Sequence, residues 1–416
     1  MKSNEITFGE VLLEPLRNGL TRPKRVRGSG VKMVNMGELF ANRRIRDIPM
    51  ERVPLNPRNP ERDLLRDRDL LFARQSIVAD GAGKVSIFEG ADEPVTYESH
   101  LVRARIDPEK ADPRWLFYFF ESSLGRNRMQ SIVHQVAAAG IRGSDLMRLP
   151  IPHVDLDEQH RVAGLLDTLD NKIDSNRRLA KTLEEIAAAL FKARFVDFVG
   201  QNDLLETEAC ALPRGWSWQA LSSIANVLGG GTPKTTIEEY WGGSIPWISV
   251  KDTVPGPYVI KVDRHITEKG RQAARLTLYP ADTVVITARG TVGNVALMSE
   301  PMTLNQSCYA LRSDSEIGQL FLFHSLRHAV KVLRSRAHGS VFSTITRSTF
   351  DSVMVAVPPE EEIVKFEQFA EPIFARIRVA MREAAVLAEV RDALLPRLIA
   401  GQIQTSPDGQ SAEKPA

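Results

Sequence analysis

The sequence predicts a mixed α/β (α+β) protein built as a tandem repeat, in which two domains are separated by two long helices. Three observations predict this architecture. One amphipathic helical pattern occurs twice at a constant distance along the chain. Each copy follows a body, meaning a segment in which short strand-like and helical patterns alternate. The net charge changes sign with the same division of the chain.

The repeated pattern places apolar residues on one face of two long helices. Corresponding residues lie 204 positions apart, whereas solenoid repeats run roughly 20–50 residues, so the repeating element is a domain plus its helix. We predict helices from about Glu158 to Phe198 and from about Glu361 to Ala400. The residues assigned to a coiled-coil or partner interface are Leu169, Ile173, Leu183, Ile186 and Leu190 in the first helix and Ile373, Ile377, Leu387, Val390 and Leu394 in the second.

The apolar spacing alternates between four and three residues, which is typical of a coiled coil. Asn176 and Arg194 are polar positions within that seam. Helices of this length seldom find enough surface on their own domain, so pairing with each other is favoured over separate packing. Body, helix, body, helix in this order predicts an antiparallel pair with one body at each end and a pseudo-twofold axis.

The predicted domain boundaries follow the same pattern. The segments are a first domain at 1–152, a central long helix at 153–200, a second domain at 201–358, a C-terminal long helix at 359–401 and a disordered tail at 402–416. Within the bodies, Arg74 and Arg289 are predicted to occupy the same place after a strand, and Ser99 to correspond to Ser307. Asp112 is predicted to cap a helix that has Pro113 in its first turn.

The formal net charge of +2 conceals an alternation along the chain. Residues 1–150 carry 25 basic and 20 acidic residues, and residues 207–357 carry 15 and 11. The helical segments are acidic: residues 151–206 carry 7 basic and 11 acidic residues, and residues 358–416 carry 7 and 10. Two basic bodies and two acidic helical segments suit bodies that face a polyanion and helices that do not.

The composition indicates an ordinary globular protein, with 43% apolar and 25% charged residues. Two cysteines, Cys210 and Cys308, fit a reducing cytosol and exclude a disulfide framework. The sequence has no run of 18 apolar residues and no signal-peptide pattern at its N-terminus. We therefore expect a cytoplasmic protein.

Motifs for catalysis or metal binding are not evident. The glycine-rich segment Gly229–Thr236 lacks a glycine before Lys234, and Pro233 there removes a backbone donor, so a Walker A site is not predicted. This loop is expected to approach a nucleic-acid backbone or to form a simple turn. His324 and His328 have a zinc-compatible spacing but lack the Glu and the third ligand of a zinc site. We predict no catalytic residues and no metal site.

Basic residues are the remaining functional signal. Nine Lys and Arg residues lie between Arg17 and Arg46 against one acid, Glu38, and clusters of this kind neutralise phosphates. A basic run is more often a solvated surface than a binding site, so these residues are candidates. The candidate DNA-binding residues are Arg22, Lys24, Arg25, Arg27, Lys32, Arg43, Arg44, Arg46 and Arg74 in the first body and Lys234, Lys251, Arg264 and Arg289 in the second.

In its second half the sequence carries a set of short motifs in a fixed order. They are Leu212-Pro213-Arg214-Gly215-Trp216, Gly229-Gly230-Gly231-Thr232-Pro233-Lys234, Ile245-Pro246-Trp247-Ile248, Ala288-Arg289-Gly290-Thr291-Val292-Gly293 and Asn305-Gln306-Ser307. With the proline-rich lead into Asp157-Glu158-Gln159, the chain resembles the specificity (HsdS) subunits of type I restriction-modification systems over nearly its whole length. The first half departs from the pattern, because it lacks the opening motif and has Tyr97-Glu98-Ser99 in place of the last one.

The resemblance implies a non-catalytic subunit that binds double-stranded DNA. Two target-recognition domains would each recognise half of a split site, and a coiled coil would set their spacing. It also implies two methyltransferase (modification) subunits docked on the helices and restriction/translocase subunits in the full enzyme. S-adenosylmethionine, ATP and magnesium would belong to those partners.

Other functions remain open from sequence. One is a specificity subunit of another restriction-modification type or of a solitary methylation system. A coiled-coil scaffold and a P-loop enzyme are further alternatives.

Overall fold

The computed structural model describes residues 5–55, 60–77, 79–135, 139–201, 203–205, 211–254, 256–313, 317–338, 344–404 and 412–413. The chain divides into two compact units. Unit 1 comprises Met1–Asn171 together with Leu387–Ala416, and unit 2 comprises Lys172–Val386. Each unit therefore contains one body and a part of both long helices.

The first half of the chain forms thirteen strands and five helices among the described residues. The strands are β1 (Glu5–Thr7), β2 (Arg17–Asn18), β3 (Val31–Val34), β4 (Arg44–Ile45), β5 (Glu51–Val53), β6 (Leu70–Ala73), β7 (Gln75–Ser76), β8 (Val85–Phe88), β9 (Val95–Tyr97), β10 (Leu101–Ala104), β11 (His134–Gln135), β12 (Ala139–Gly140) and β13 (Pro150–Pro152). The helices are α1 (Met36–Ala41), α2 (Pro113–Glu121), α3 (Ser123–Gln130), α4 (Gly143–Met147) and α5 (Leu156–Phe195).

The second half forms fourteen strands and five helices among the described residues. Its strands are β14 (Leu204–Leu205), β15 (Leu212–Pro213), β16 (Ser217–Ala220), β17 (Ala225–Gly229), β18 (Trp241–Ile248), β19 (Tyr258–Val259), β20 (Arg264–Ile266), β21 (Val284–Thr287), β22 (Val295–Met298), β23 (Thr303–Leu304), β24 (Cys308–Ser313), β25 (Met354–Val357), β26 (Ile403–Gln404) and β27 (Ala412–Glu413). Its helices are α6 (Leu221–Ile224), α7 (Glu268–Ala273), α8 (Gln319–His338), α9 (Arg347–Asp351) and α10 (Glu360–Ile399).

Two of the sheets in each body have the same strand order in both copies. In unit 1 a five-stranded sheet runs β2-β10-β6-β8-β4 and a three-stranded sheet runs β5-β3-β9. In unit 2 the corresponding orders are β17-β24-β21-β22-β19 and β20-β18-β23. In both large sheets the last strand pairs parallel and the others antiparallel. The mixed α/β fold and the tandem repeat are therefore confirmed.

The core of the first body forms where α2 covers the five-stranded sheet. Asp112 caps α2 by accepting a hydrogen bond from the Arg114 backbone N–H at 2.8 Å, and Pro113 occupies the first helical position, as predicted. The rings of Phe8, Phe72 and Phe120 meet edge to face with centroids 5.1–5.8 Å apart. Aromatic burial of this kind contributes strongly to the stability of a core.

Hydrogen bonds of the backbone define which residues of the two bodies correspond. The Arg74 N–H donates to the His100 carbonyl at 2.8 Å, and the Ala288 N–H donates to the Ser307 carbonyl at 2.8 Å. Arg74 thus corresponds to Ala288, and His100 to Ser307. The predicted correspondences of Arg74 with Arg289 and of Ser99 with Ser307 are wrong by one residue, because hydrogen-bond register rather than residue type fixes the alignment.

The two long helices run antiparallel within each unit. In unit 2, Lys172 of α5 pairs with Glu383 of α10 at 3.4 Å, while Arg194 near the end of α5 pairs with Glu362 near the start of α10 at 2.7 Å. In unit 1, Leu166 from the beginning of α5 shares a core with Leu398 from the end of α10. The helices are 40 residues each, within two residues of the predicted start and within three of the predicted end.

The buried face of the helices is close to the predicted seam but not identical to it. Ile173 and Ile377 are fully buried and Asn176 is buried within unit 2, whereas Ile186 is 47% exposed and Val390 is 41% exposed. The other six predicted interface residues are half-buried. The burial of Ile186 and Val390 in a helix–helix seam is therefore not observed, and their assignment to a partner interface stays a prediction.

Two further observations concern the ends and the environment of the chain. Of the tail predicted to be disordered, the described residues are 402–404 and 412–413, and in these β26 pairs antiparallel with β27. Among the described helices, none combines the length and the apolar character needed to cross a bilayer.

Candidate nucleic-acid interface

The glycine-rich loop of unit 2 is held in place by two indole side chains. The Trp247 Nε1–H donates to the Gly231 carbonyl at 2.9 Å, and the Trp241 Nε1–H donates to the Lys234 carbonyl at 3.3 Å. Gly230 lies against the neighbouring chain, where an added Cβ would come within 2.2 Å of the Leu304 carbonyl oxygen. The loop is thus positioned by β18 and β23 and presents the exposed side chain of Lys234.

Arg264 on the edge strand β20 lies over the same tryptophans. Its guanidinium carbon is 3.5 Å from the ring centroid of Trp241 and 5.8 Å from that of Trp247, and the two indoles meet at 90°. Of the other candidate cations of the second body, Lys251 pairs with Asp263 at 2.5 Å and Arg289 is exposed. The hydrogen bond from Lys251, with a smaller contribution from Arg264, lowers the pKa of Asp263 below its usual range.

Unit 1 has different side chains at the place of this tryptophan–arginine stack. The pairing of Val31 with Val53 corresponds to that of Ile245 with Ile266, so Arg27 stands where Trp241 does and Glu51 where Arg264 does. Gly28 and Gly242 at the next position both have positive φ, which supports the correspondence. Arg27 forms an ion pair with Glu51.

Four further basic candidates of unit 1 are Arg22, Lys24, Arg25 and Lys32. Lys24 and Arg25 are exposed, and Arg22 donates to the Pro54 carbonyl at 2.8 Å. Lys32 pairs with Asp47 at 3.0 Å and with Glu93 at 3.1 Å. The hydrogen bonds that Lys32 donates to Asp47 and Glu93 raise its pKa, so its ammonium stays charged. Lys24 and Arg25 are therefore the most accessible cations of this group.

Three arginines of the basic run contact carboxylates. Two of these carboxylates, those of Asp167 and Asp170, lie on α5. Arg43 pairs with Glu121 and, at 3.1 Å, with Asp170. The Arg44 side chain is only 6% exposed, and its guanidinium pairs with Glu89 at 2.6 Å and with Asp167 at 2.8 Å. Arg46 also pairs with Glu89 and donates to Asn171 at 2.8 Å. These contacts give the three arginines a role in joining β4 to α5, and DNA binding by them stays a prediction.

Arg74 lines an open groove of about 670 Å3 in unit 1. Asn18, Gln75 and Arg142 share the wall of this groove, which thus presents amide and guanidinium groups. His134, also in the wall, contacts Asp145 at 2.8 Å. The wall of the groove therefore combines two arginines with neutral polar and apolar residues.

The histidine pair of α8 is divided between the core and the surface. His324 is 4% exposed among the rings of Phe191, Phe366 and Phe374, and burial lowers its pKa to about 3. His328 is exposed. In the part of the chain that the structure describes, no group of three or more His, Cys, Asp or Glu residues could hold a metal ion.

Sequence reasoning missed the partners of the candidate cations. The prediction did not include Trp241, although two tryptophans six positions apart, Trp241 and Trp247, were a usable signal. The ion pair between Arg27 and Glu51 joins residues 24 positions apart through β3 and β5, and no local pattern indicates it.

Two mixed α/β bodies with the same strand order, each followed by a long helix, define a duplicated two-domain protein. Residues 57–185 and 213–373, more than half of the chain, match the model of the type I restriction modification DNA specificity domain. The chain therefore belongs to this family of type I restriction-modification specificity subunits.

Curated relatives and a solved structure agree with this membership. The chain is 26% identical to the HindI specificity subunit of Haemophilus influenzae, covering 62% of this chain and 69% of that protein. It is 24% identical to the MjaIX specificity subunit of Methanocaldococcus jannaschii, covering 80% and 79%. The crystal structure of the S subunit from M. genitalium superposes with a TM-score of 0.64 at 17% identity, covering 95% and 96%, and has the same fold.

Proposed function

We propose that this chain is the DNA sequence-specificity subunit of a type I restriction-modification enzyme and recognises a bipartite target, one half-site per body. The observation that carries the proposal is that the family model matches twice, once in each body. The backbone frameworks correspond, since Ile141 N–H donates to the Arg74 carbonyl as Ile345 N–H donates to that of Ala288. The side chains on these frameworks differ, so the two half-sites should differ in sequence.

The proposal assigns the chemistry to partner subunits. Two methyltransferase subunits would bind S-adenosylmethionine, and restriction/translocase subunits would bind ATP and magnesium, while this chain has no catalytic role. The support for docking is a pair of exposed apolar side chains on α10. Val379 and Val386 lie seven residues apart on one helical face and are 54% and 57% exposed. Exposed apolar side chains in such a row favour a protein partner.

Cations on each body would supply most of the affinity for DNA. Lysines and arginines that neutralise phosphates release counterions, so binding should weaken steeply with salt. Lys24 and Arg25 in unit 1 and Lys234 and Arg289 in unit 2 are exposed and suit this role. Because its target is DNA, the proposal places the complex in the cytoplasm.

The test is to sequence methylated DNA from cells that express this chain with its methyltransferase subunits. We expect one motif with two specific parts separated by a spacer, and no such motif when this chain is deleted. A contiguous motif, or methylation that persists without this chain, would contradict the proposal. Neighbouring genes would decide between a type I enzyme and a solitary methylation system, because only the former needs a helicase-nuclease.

A further inference from the structure

The guanidinium of Arg264 is fixed in orientation by the indole of Trp241. The guanidinium carbon lies over the indole at 3.5 Å from the ring centroid, which is van der Waals contact and the separation expected of two stacked planar groups. Stacking of this kind is favourable through cation–π attraction and is more frequent for arginine than for lysine. The side chain therefore loses little further freedom when it binds a ligand.

The stack covers one face of the guanidinium and leaves its edge available. All five N–H donors of an arginine lie in the plane of the group, so a ring above that plane does not occupy them. Among the described residues no hydrogen bond or ion pair to the Arg264 side chain is found. The adjacent carboxylate, that of Asp263, is engaged by Lys251. Arg264 is half-exposed on an edge strand and can reach a ligand.

The neighbouring loop supplies a second cation of a different kind. The indole of Trp241 holds the Lys234 carbonyl at 3.3 Å, so the backbone of Lys234 is adjacent to the ring on which Arg264 lies. Lysine is a flexible point charge suited to phosphate, whereas an oriented arginine fork matches two acceptors at once. An oriented guanidinium beside a lysine that can contact a phosphate is the arrangement expected at a DNA groove.

At the corresponding place in unit 1 the guanidinium is already engaged by other groups of the protein. There Arg27 is paired with Glu51, and its Nε–H donates to the Arg22 carbonyl at 3.0 Å. The same backbone framework thus presents in unit 2 an oriented guanidinium that forms no ion pair with any residue the structure describes, and in unit 1 a neutralised ion pair. A contact made through Arg264 would be specific to the half-site bound by unit 2.

We propose that Arg264, oriented by Trp241, recognises a guanine in the half-site of unit 2 through a bidentate contact to O6 and N7 in the major groove. Guanine is the base that offers two acceptors at this spacing, and arginine is its most frequent partner. The inference rests on the proposed function, since it needs this chain to bind a specific DNA target. It adds the residue and the base that determine part of the specificity.

The test uses the complex of this chain with its methyltransferase subunits and duplexes in which each target base pair is replaced in turn. For Arg264→Lys, which keeps the charge but lacks the fork, we expect discrimination at one G·C pair to fall by about 5- to 150-fold. Arg264→Ala should also lower discrimination at this base pair, and discrimination in the other half-site should equal that of the wild type. Lys234→Ala is the matched control, because losing a phosphate contact weakens binding to all duplexes and lowers the salt slope by about 1.

Each result decides the matter. Relaxation at a single G·C pair of one half-site in Arg264→Lys supports the inference, even if Arg264→Ala fails to assemble. Uniform weakening like that of Lys234→Ala would mean a phosphate contact and overturn it. Unchanged discrimination, or a wild-type half-site without guanine, would overturn it as well. A wild-type complex without any bipartite preference would instead contradict the proposed function.

Discussion

Arg391 of α10 donates a hydrogen bond of 2.5 Å to the Asp170 carboxylate of α5, and both side chains are buried in unit 1. The same carboxylate accepts a hydrogen bond from the Tyr118 hydroxyl at 2.8 Å and pairs with Arg43 at 3.1 Å. A buried ion pair between Asp170 and Arg391 thus joins the first half of α5 to the second half of α10. Removing one partner of a buried ion pair leaves an uncompensated charge.

Asp170→Asn should destabilise the chain by about 3 kcal/mol, because the buried Arg391 would lose the charge of its buried partner. Urea denaturation followed by circular dichroism measures the change in the free energy of unfolding. Lys172→Ala is the control on the same pair of helices, since the Lys172–Glu383 pair is exposed at 3.4 Å and should contribute less than about 1 kcal/mol. Equal losses for the two variants would contradict the structural role of Asp170.

The pH dependence of the Asp170 contribution has a definite sign. Burial alone would raise the pKa of Asp170, but Arg43 and Arg391 outweigh it and hold the pKa below the ordinary value of 3.8. A carboxylate with a lowered pKa in the folded state stabilises the protein above its unfolded pKa and loses that effect as pH falls through the folded one. The difference in stability between wild type and Asp170→Asn should therefore shrink below about pH 4.

Burial of His324 predicts a second loss of stability in acid, which begins at a higher pH than that of Asp170. Burial, with a smaller contribution from Arg327, lowers the pKa of His324 to about 3, so the folded state keeps the imidazole neutral while the unfolded state binds a proton below its ordinary pKa of 6.5. Stability should fall by about 1.4 kcal/mol per pH unit as pH decreases from 6.5 toward 3. His324→Phe should remove this slope, whereas the exposed His328→Gln should keep it. The free energy of unfolding is measured by chemical denaturation from pH 6 to pH 4. An equal dependence on pH in wild type and in His324→Phe would refute the assignment.

The glycine-rich loop allows a comparison of two adjacent positions. A Cβ at Gly230 would lie 2.2 Å from the Leu304 carbonyl oxygen and 2.4 Å from that of Asn305, whereas a Cβ at Gly229 meets nothing within 4 Å. Gly230→Ala should cost about 1–3 kcal/mol, because backbone atoms must move. Gly229→Ala should be neutral or stabilise by up to about 1 kcal/mol through the unfolded state. Thermal denaturation of both variants checks this, and a harmless Gly230→Ala would show that the loop is not held against β23.

The sequence predicted the fold class and the long helices because an apolar stripe is a local pattern. The prediction of which residues correspond in the two copies was less accurate, because the sequence separation between the copies changes along the chain. It is 214 residues for Val31 and Ile245, 207 for Leu101 and Cys308 and 204 in the helices. Insertions between elements cause these changes, and only hydrogen-bond register shows where they fall.

The candidate site was predicted by residue type but not by environment. The basic run was identified correctly as a cluster in the sequence, yet the structure pairs Arg44 with Asp167, 123 positions away, and Lys32 with two carboxylates. Ion pairs of this range depend on the tertiary fold, so no spacing rule indicates them. The stack of Arg264 on Trp241 is likewise formed only when β20 pairs with β18.

The exposed face of α10 gives a prediction about assembly. Val379→Asp and Val386→Asp place charges on an apolar surface that we propose contacts a methyltransferase subunit, while the buried face of the helix, with Ile377 and Ala380, is unchanged. Co-purification of the complex should fall for these variants, and circular dichroism of the isolated chain should match the wild type. Gln368→Asp adds the same charge at a polar exposed position of α10 and should assemble normally. Because a desolvated charge in an interface costs several-fold to hundreds-fold in affinity, roughly 1–3 kcal/mol, undiminished assembly of both valine variants would exclude this face as the docking surface.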